Sequence, residues 1–355
     1  MRHGARVSIA RGDAPHGTDD TAPHGTDGDG WRGDGRTGPR RRATAVGLLA
    51  VLSWALLAAL TASTGTVPPL LLNAMAFAVA SVIGVAWIAA VQGGPGLRDA
   101  LAPPPLAWAI GVGGLFGYHA LYFTALRLAP PVQASLIAYL WPLLIVLMSA
   151  LLPGERLRGR HVAGALVALS GAALLVTSGA GAPSAGEGAG SPPARLLGLA
   201  FEARFWPGYL AAIGCALIWS SYSVASRTMR AVPTAAVAGF CLVTALLSLA
   251  LHLVLEETVW PAGLAEWLAV IGLGLGPVGG AFYAWDRGCK HGDIRLLGIA
   301  AYAAPVLSTL VLVALGIADP TLALGAACLL VALGAVIASR PERTASRAQR
   351  IASGG

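Results

Sequence analysis

The chain has 355 residues, of which 56% are hydrophobic and 12% charged, whereas an ordinary soluble domain has roughly a quarter of its residues charged. Its mean hydropathy is +0.69, and the apolar residues fall in runs of about 17–25, each long enough to cross a hydrocarbon core as a helix. A soluble globular protein is excluded, and the fold class that remains is an all-α integral membrane protein.

Residues 1–43 contain no such run. They are rich in Gly, Asp, His and Arg, and Ala14-Pro15-His16-Gly17-Thr18-Asp19 returns as Ala22-Pro23-His24-Gly25-Thr26-Asp27. A segment of this composition cannot bury a core and reads as a disordered cytoplasmic tail. It lacks the apolar stretch of a cleavable signal, so the first membrane helix is expected to direct insertion. Five apolar runs follow at 44–63, 67–91, 105–126, 130–152 and 162–178, making a first five-helix repeat over 44–178. Residues 179–206, rich in Gly, Ala, Ser and Pro, read as an extracytoplasmic linker. Five more runs at 207–226, 232–255, 267–285, 296–317 and 320–338 make a second repeat over 207–339, and 340–355 is a cytoplasmic C-terminal tail. Cys215, Cys241, Cys289 and Cys328 are far apart and lack CxxC spacing. They read as small buried hydrophobes, with no metal and no cofactor expected.

Ten helices place both termini on one side and assign every loop alternately. With the termini inside, seventeen Lys and Arg fall on the inner side, from Arg36 to Arg350, and only Arg127, Arg195 and Arg204 outside. Four distal tail arginines are left out of that tally. Positive-inside bias therefore favours ten spans and cytoplasmic termini. It also accounts for the net charge of +7, which removes the main argument for a nucleic-acid partner.

The two sets of five match at fixed offsets. At 165 residues Trp54 meets Trp219 and Pro68 meets Pro233; at 163, Tyr139 meets Tyr302 and Pro142 meets Pro305. Each repeat has an odd number of helices, so the second is expected to be inverted, the architecture of secondary transporters. Pro142 and Pro305 fall mid-helix at matching places, where each removes a backbone hydrogen bond and breaks or kinks the helix, nominally freeing the carbonyls of Ala138 and Ala301. Gly113 and Gly117 form a GxxxG mirrored by Gly276 and Gly280, expected to let the third and eighth helices approach their neighbours closely.

The ten runs as bounded contain no Asp, Glu, Lys or Arg, so a cavity between them should take a net-neutral solute. Polar candidates to hold it are Asn73, Gln133, Ser135, Ser220, Ser221, Ser223, Ser308 and Thr309. Trp54, Tyr118, Tyr122, Tyr139, Trp141, Trp219, Tyr222 and Tyr302 lie deep in their runs, whereas Trp87, Trp108, Trp206, Trp260 and Trp267 lie at run ends, where an interfacial belt explains them. Tyr118 and Tyr122 share one helix face. Trp141 would point nearly opposite Tyr139 on an ideal helix, so both line one cavity only if Pro142 distorts the turn. His119, beside Tyr118, is either a hydrogen-bonded packing residue or a proton carrier.

Leu152-Pro153-Gly154-Glu155-Arg156-Leu157, followed by a Gly-rich helix ending Ala168-Leu169-Ser170-Gly171-Ala172, resembles the EamA domains of the drug/metabolite transporter superfamily over residues 44–339. Within it, the run from Pro130 to Leu147, with Tyr139-Leu140-Trp141-Pro142 inside it, is most similar to the aromatic amino acid exporters, the YddG-like group. The resemblance implies export of aromatic and other neutral amino acids across the bacterial inner membrane, by a monomer with a central hydrophobic cavity. It implies Tyr118, Tyr122, Tyr139 and Trp141 as cavity residues. Trp54 and Trp219 join them from the repeat, and Tyr222, Asn73, Gln133 and Tyr302 from their depth and polarity. The long N-terminal tail, and Ile317-Ala318-Asp319-Pro320 where the first repeat has Gly154-Glu155-Arg156, depart from the pattern.

Other readings fit less well. Export of other small metabolites or drugs within the same superfamily is the alternative. A small-multidrug-type cation exporter needs a glutamate in its first helix, and 44–63 has none. Phosphorylated sugars call for basic residues in the cavity. An enzyme needs a nucleophile with a base, or a metal cluster, and the helices carry neither motif. Without a buried carboxylate, facilitated diffusion is the expected mode, with His119 as the one group for proton linkage.

Overall fold

A computed structural model describes residues 37–154, 156–178 and 202–340. Among these residues it contains ten membrane-length apolar helical spans and no strand. They are α1 (Gly38–Ala62), α2 (Pro69–Leu101), α3 (Pro105–Leu128), α4 (Pro131–Leu151), α5 (Gly159–Ser178), α6 (Ala203–Thr228), α7 (Thr234–Leu255), α8 (Leu264–His291), α9 (Ile294–Ala314) and α10 (Leu322–Ser339). Residues 1–36, most of the expected linker and 341–355 lie outside the described residues.

Several helices run past the apolar limits drawn from sequence. Helix begins at Thr37, inside the stretch assigned to the tail. Its first turns find partners: the Thr44 hydroxyl donates to the Arg40 carbonyl, and Arg40 pairs with Asp293 at 3.2 Å. The sixth span likewise starts inside the expected linker, at Ala203. In α2 the chain turns at Gly93, whose φ of +67° suits glycine, and Pro95 follows. α8 contains a π-helical turn, Gly276–Gly280, around Pro277, which lacks the N–H needed to continue the α-helical ladder.

These extensions correct the expectation of uncharged helices. Asp286 and Lys290 lie inside α8, each with its side chain 2% exposed, and pair at 2.8 Å. Arg227, inside α6, is also buried. Hydropathy reading ends a helix at its first charge, whereas a buried charge survives wherever the fold supplies its partner.

The most extensive packings are α5 with α10, α2 with α7, α3 with α6 and α1 with α8. Glycine permits the tightest of them. A Cβ on Gly164 or on Gly334 would run into the other's carbonyl oxygen, so α5 and α10 touch backbone to backbone. Gly47 and Gly288 do the same for α1 and α8. The expected GxxxG contacts are only partly met. A Cβ at Gly113 would meet nothing within 4 Å, and the close approaches of α3 fall instead at Gly111, against Phe240, and Gly114, against Tyr222. Which glycine faces a neighbour depends on the rotation of the helix, which spacing alone does not fix.

α4 and α9 are both interrupted near the proline expected to interrupt them. α4 is helical over Pro131–Ala138 and Trp141–Met148, leaving Tyr139 and Leu140 in a turn. α9 is helical over Ile294–Ala300 and Ala303–Ala314, leaving Ala301 and Tyr302 in a turn. The outer faces are lined with exposed Leu, Ile and Val such as Leu49, Leu217, Leu246 and Leu329, as lipid contact requires.

Candidate functional site

Between α1, α2, α3, α4, α8 and α9 lies a cavity of about 510 Å³, within the range of about 300–1,000 Å³ typical of small-molecule sites. It reaches the turn between α1 and α2, where Thr61, Gly65 and Pro69 are exposed, and opens at that end. Among the described residues, no Asp, Glu, Lys or Arg lines it. The neutrality expected of the helices as a whole therefore holds for the cavity alone.

Tyr118, Tyr122, Tyr139, Trp141, Trp54 and Asn73 all line this cavity, as do His119 and Pro305. Tyr118 and Tyr122, one turn apart on α3, stack with centroids 6.0 Å apart and planes within 3°. Tyr139 and Trp141 reach the same space because the helix breaks between them, which rotates Trp141 away from its ideal position. The break is satisfied from elsewhere: the Ser220 hydroxyl donates to the Trp141 carbonyl, and the Leu143 N–H donates to the Tyr302 hydroxyl. In α9 the Ala301 carbonyl is not left free, since it accepts the Ala304 N–H.

The floor of the cavity is Trp54 and Trp141, backed by two further indoles. Trp54, Trp141, Trp219 and Trp285, from α1, α4, α6 and α8, are all in mutual ring contact, with centroids 5.1–6.4 Å apart. Each such pair contributes roughly 0.5–1.5 kcal/mol beyond area burial. Trp219 and Trp285 are almost fully buried, and neither lines the cavity. Trp54 donates to the Pro277 carbonyl in the π turn, and Trp285 to the Ser223 hydroxyl. Trp285 was missed from sequence because it ends its apolar run, where a tryptophan reads as interfacial.

Polar groups divide between cavity and frame. Ser135 and Ser308 line the cavity, and the Ser308 hydroxyl is buried without a hydrogen-bond partner. Asn73 donates to Ser248 at 2.8 Å, which meets the demand of a buried amide. His119 Nδ1 lies 2.7 Å from the Leu115 carbonyl. A carbonyl only accepts, so Nδ1 carries the proton, and the ring is held edge-on to Phe77.

The other expected ligands lie away from the cavity. Gln133 is buried between α4 and α6 and accepts from the Tyr209 hydroxyl. Tyr222 packs on Trp219, and Tyr302 braces the broken α4. Pro142 is buried and does not reach the wall. Of the remaining polar candidates, Thr309 bonds back to the Pro305 carbonyl and Ser221 is exposed.

Two charged networks lie outside the cavity. At its mouth, Glu256 accepts N–H bonds from Leu70 and Leu71 at the start of α2 and pairs with His252 and Arg127. At the opposite end, the Asp286–Lys290 pair is completed by the Thr234 hydroxyl, which donates to Asp286, and by the Val232 carbonyl, which accepts from Lys290. Arg227 donates to the carbonyls of Cys289 and Gly292.

Ten apolar spans, matched interruptions in α4 and α9 and a neutral cavity that is open at one end and floored at the other define a membrane transporter. The model of the EamA-like transporter family matches residues 41–177 and 206–340, and the chain belongs to that family. It is therefore a transporter and not an enzyme. Over 300 residues it is 54% identical to the aromatic amino acid exporter YddG of Ancylobacter novellus, covering 84% of this chain and 98% of that protein. Over 181 residues it is 28% identical to the protein of the same name from Salmonella typhimurium, covering 50% of this chain and 56% of that one. A crystal structure with 52% sequence identity matches with a TM-score of 0.75, covering 84% of this chain and 98% of the other.

Proposed function

We infer that the protein exports aromatic and other bulky neutral amino acids across the inner membrane, by alternating access through the aromatic cavity. The observation that carries this reading is the wall itself: Tyr118, Tyr122, Tyr139, Trp54 and Trp141 offer ring faces and hydroxyls without a fixed charge. A zwitterion suits such a site, because its two charges cancel and its side chain stacks. The names of the two relatives point the same way. An inverted arrangement of residues 44–178 and 207–339 is supported by the packing, which maps onto itself when α1–α5 exchange with α6–α10: α1 with α8 becomes α6 with α3, while α2 with α7 and α5 with α10 are unchanged. Cytoplasmic termini follow from the charge bias. One chain encloses the cavity, which supports a monomer. Facilitated diffusion is the mode, since no carboxylate lines the cavity.

The test is efflux of preloaded phenylalanine, tryptophan, lysine and glutamate from proteoliposomes, with and without a pH gradient, on wild type and Tyr122→Ala. The expected result is release of the two aromatic substrates alone, insensitive to the gradient and at least about ten-fold slower in the variant, as one lost stacking contact of ~1.4 kcal/mol would give. Silence for all four, or preference for the charged solutes, would overturn the substrate assignment.

A further inference from the structure

At the end of the bundle opposite the mouth, the turn before α5, the first turn of α5, the start of α9 and the end of α10 enclose a second cavity, of about 410 Å³. It shares no lining residue with the aromatic cavity. Arg156, Arg158, Arg160 and Arg295 line it, with Asp293 as the one lining carboxylate among the described residues. That carboxylate is already engaged: its Oδ1 accepts the N–H groups of Arg295 and Leu296, capping the first turn of α9, and lies 3.8 Å from Arg295 Nε, while its Oδ2 pairs with Arg40, which is outside the cavity. The lining residues thus carry an excess of three positive charges. Glu155, in the same turn, lies outside the described residues, and counting it still leaves an excess of two.

Cations gathered around one concavity repel each other. A bound anion reverses the sign of that energy. Arg295 is already placed for one: its side chain is 15% exposed, and its Nη1 donates to the Arg156 carbonyl at 2.6 Å. Arg160 and His161 stand on the first turn of α5, where the helix dipole adds positive potential. Guanidinium forks pair bidentately with oxyanions, and several forks around one concavity suit an anion that presents more than two oxygens, as phosphate does, while Leu296 and Ile299 add an apolar surface. Basic pockets between membrane helices on the cytoplasmic side are suited to anionic headgroups.

We propose that this pocket is a phosphate-binding site that joins the α4–α5 turn to α9 and α10, taking either the headgroup phosphate of an anionic lipid or a soluble phosphate. It does not depend on what the aromatic cavity transports. The test is thermal unfolding of the purified full-length protein in neutral detergent at low ionic strength, titrated separately with phosphatidylglycerol, phosphatidylcholine and inorganic phosphate. It compares wild type, Arg156→Gln/Arg160→Gln, and Arg41→Gln/Arg42→Gln, which makes the same charge change at exposed positions outside the pocket. The Arg156 carbonyl, not its side chain, holds Arg295, so that brace survives the first variant.

Phosphatidylglycerol is expected to raise the unfolding temperature where phosphatidylcholine does not, with half-saturation at least about ten-fold higher in the pocket variant and unchanged in the control variant. A parallel rise with inorganic phosphate identifies soluble phosphate as sufficient, and a rise with the anionic lipid alone identifies the headgroup in its bilayer setting. No rise with either, or an equal loss in both double variants, overturns the proposal. Should the double variant not fold, Arg156→Gln alone is expected to weaken half-saturation about three-fold, and an unchanged value would count against the pocket.

Discussion

At the cavity mouth one carboxylate, Glu256, ties the end of α7 to the start of α2 and the end of α3. At the opposite end four indoles, a buried ion pair and the Arg227 clamp tie α1, α4, α6, α7 and α8 together. Glu256 pairs outward with a half-exposed arginine, whereas both partners of the Asp286–Lys290 pair are buried. The mouth hub is open to water only at Arg127, since Glu256 and His252 are themselves buried.

The strongest way to break this contrast is Asp286→Ala, which leaves the Lys290 ammonium buried without its counter-ion. The expected loss is about 3–5 kcal/mol in unfolding free energy, and Asp286→Ala/Lys290→Met should recover most of it; a loss under ~1 kcal/mol would mean the far end is not held by the pair. Glu256→Gln comes next, weakening charge-assisted bonds to α2, His252 and Arg127 at an expected cost of about 1.5–3 kcal/mol, seen as a lower midpoint in denaturant. Tyr302→Phe removes the acceptor of the Leu143 N–H and should cost about 1 kcal/mol, while Tyr139→Phe, at the cavity wall, should leave stability nearly unchanged and slow transport. Equal stability losses in the two would show that the matched tyrosines do the same job. Smallest is Arg127→Gln, expected under ~1 kcal/mol because that side chain is half exposed; a larger loss would make the mouth a closure in its own right.

Much of the site was legible because its residues are unusual for their surroundings. Tyrosines and tryptophans deep in apolar runs need partners or a cavity, and six of the ten residues assigned to substrate line one. The exceptions share a cause. Gln133, Tyr222 and Tyr302 are as deep and as polar, yet their helices turn them toward Tyr209, Trp219 and Leu143, and Trp219 packs against Trp54 and Trp141 without lining the cavity. Rotation of a helix about its axis is set by every neighbour at once and leaves little trace in any single run. Trp285 and the Asp286–Lys290 pair were missed for the opposite reason, since a charge four residues from its partner looks, in sequence, like the end of a membrane span.

By itself the sequence determined the solvent of this protein, the number of spans and the matched breaks in α4 and α9. Those follow from hydropathy and from proline's missing N–H, which act residue by residue. The charge bias of the loops belongs with them, as a sum over residues. Only the tertiary structure decided which aromatic rings face the cavity and which form its floor, and that the break in α4 brings Tyr139 and Trp141 to one wall. It also decided that charges are tolerated inside α6 and α8. These depend on distances between groups far apart in the chain, where a buried ion or an orphaned N–H is stable only when a particular partner from another helix arrives to meet it.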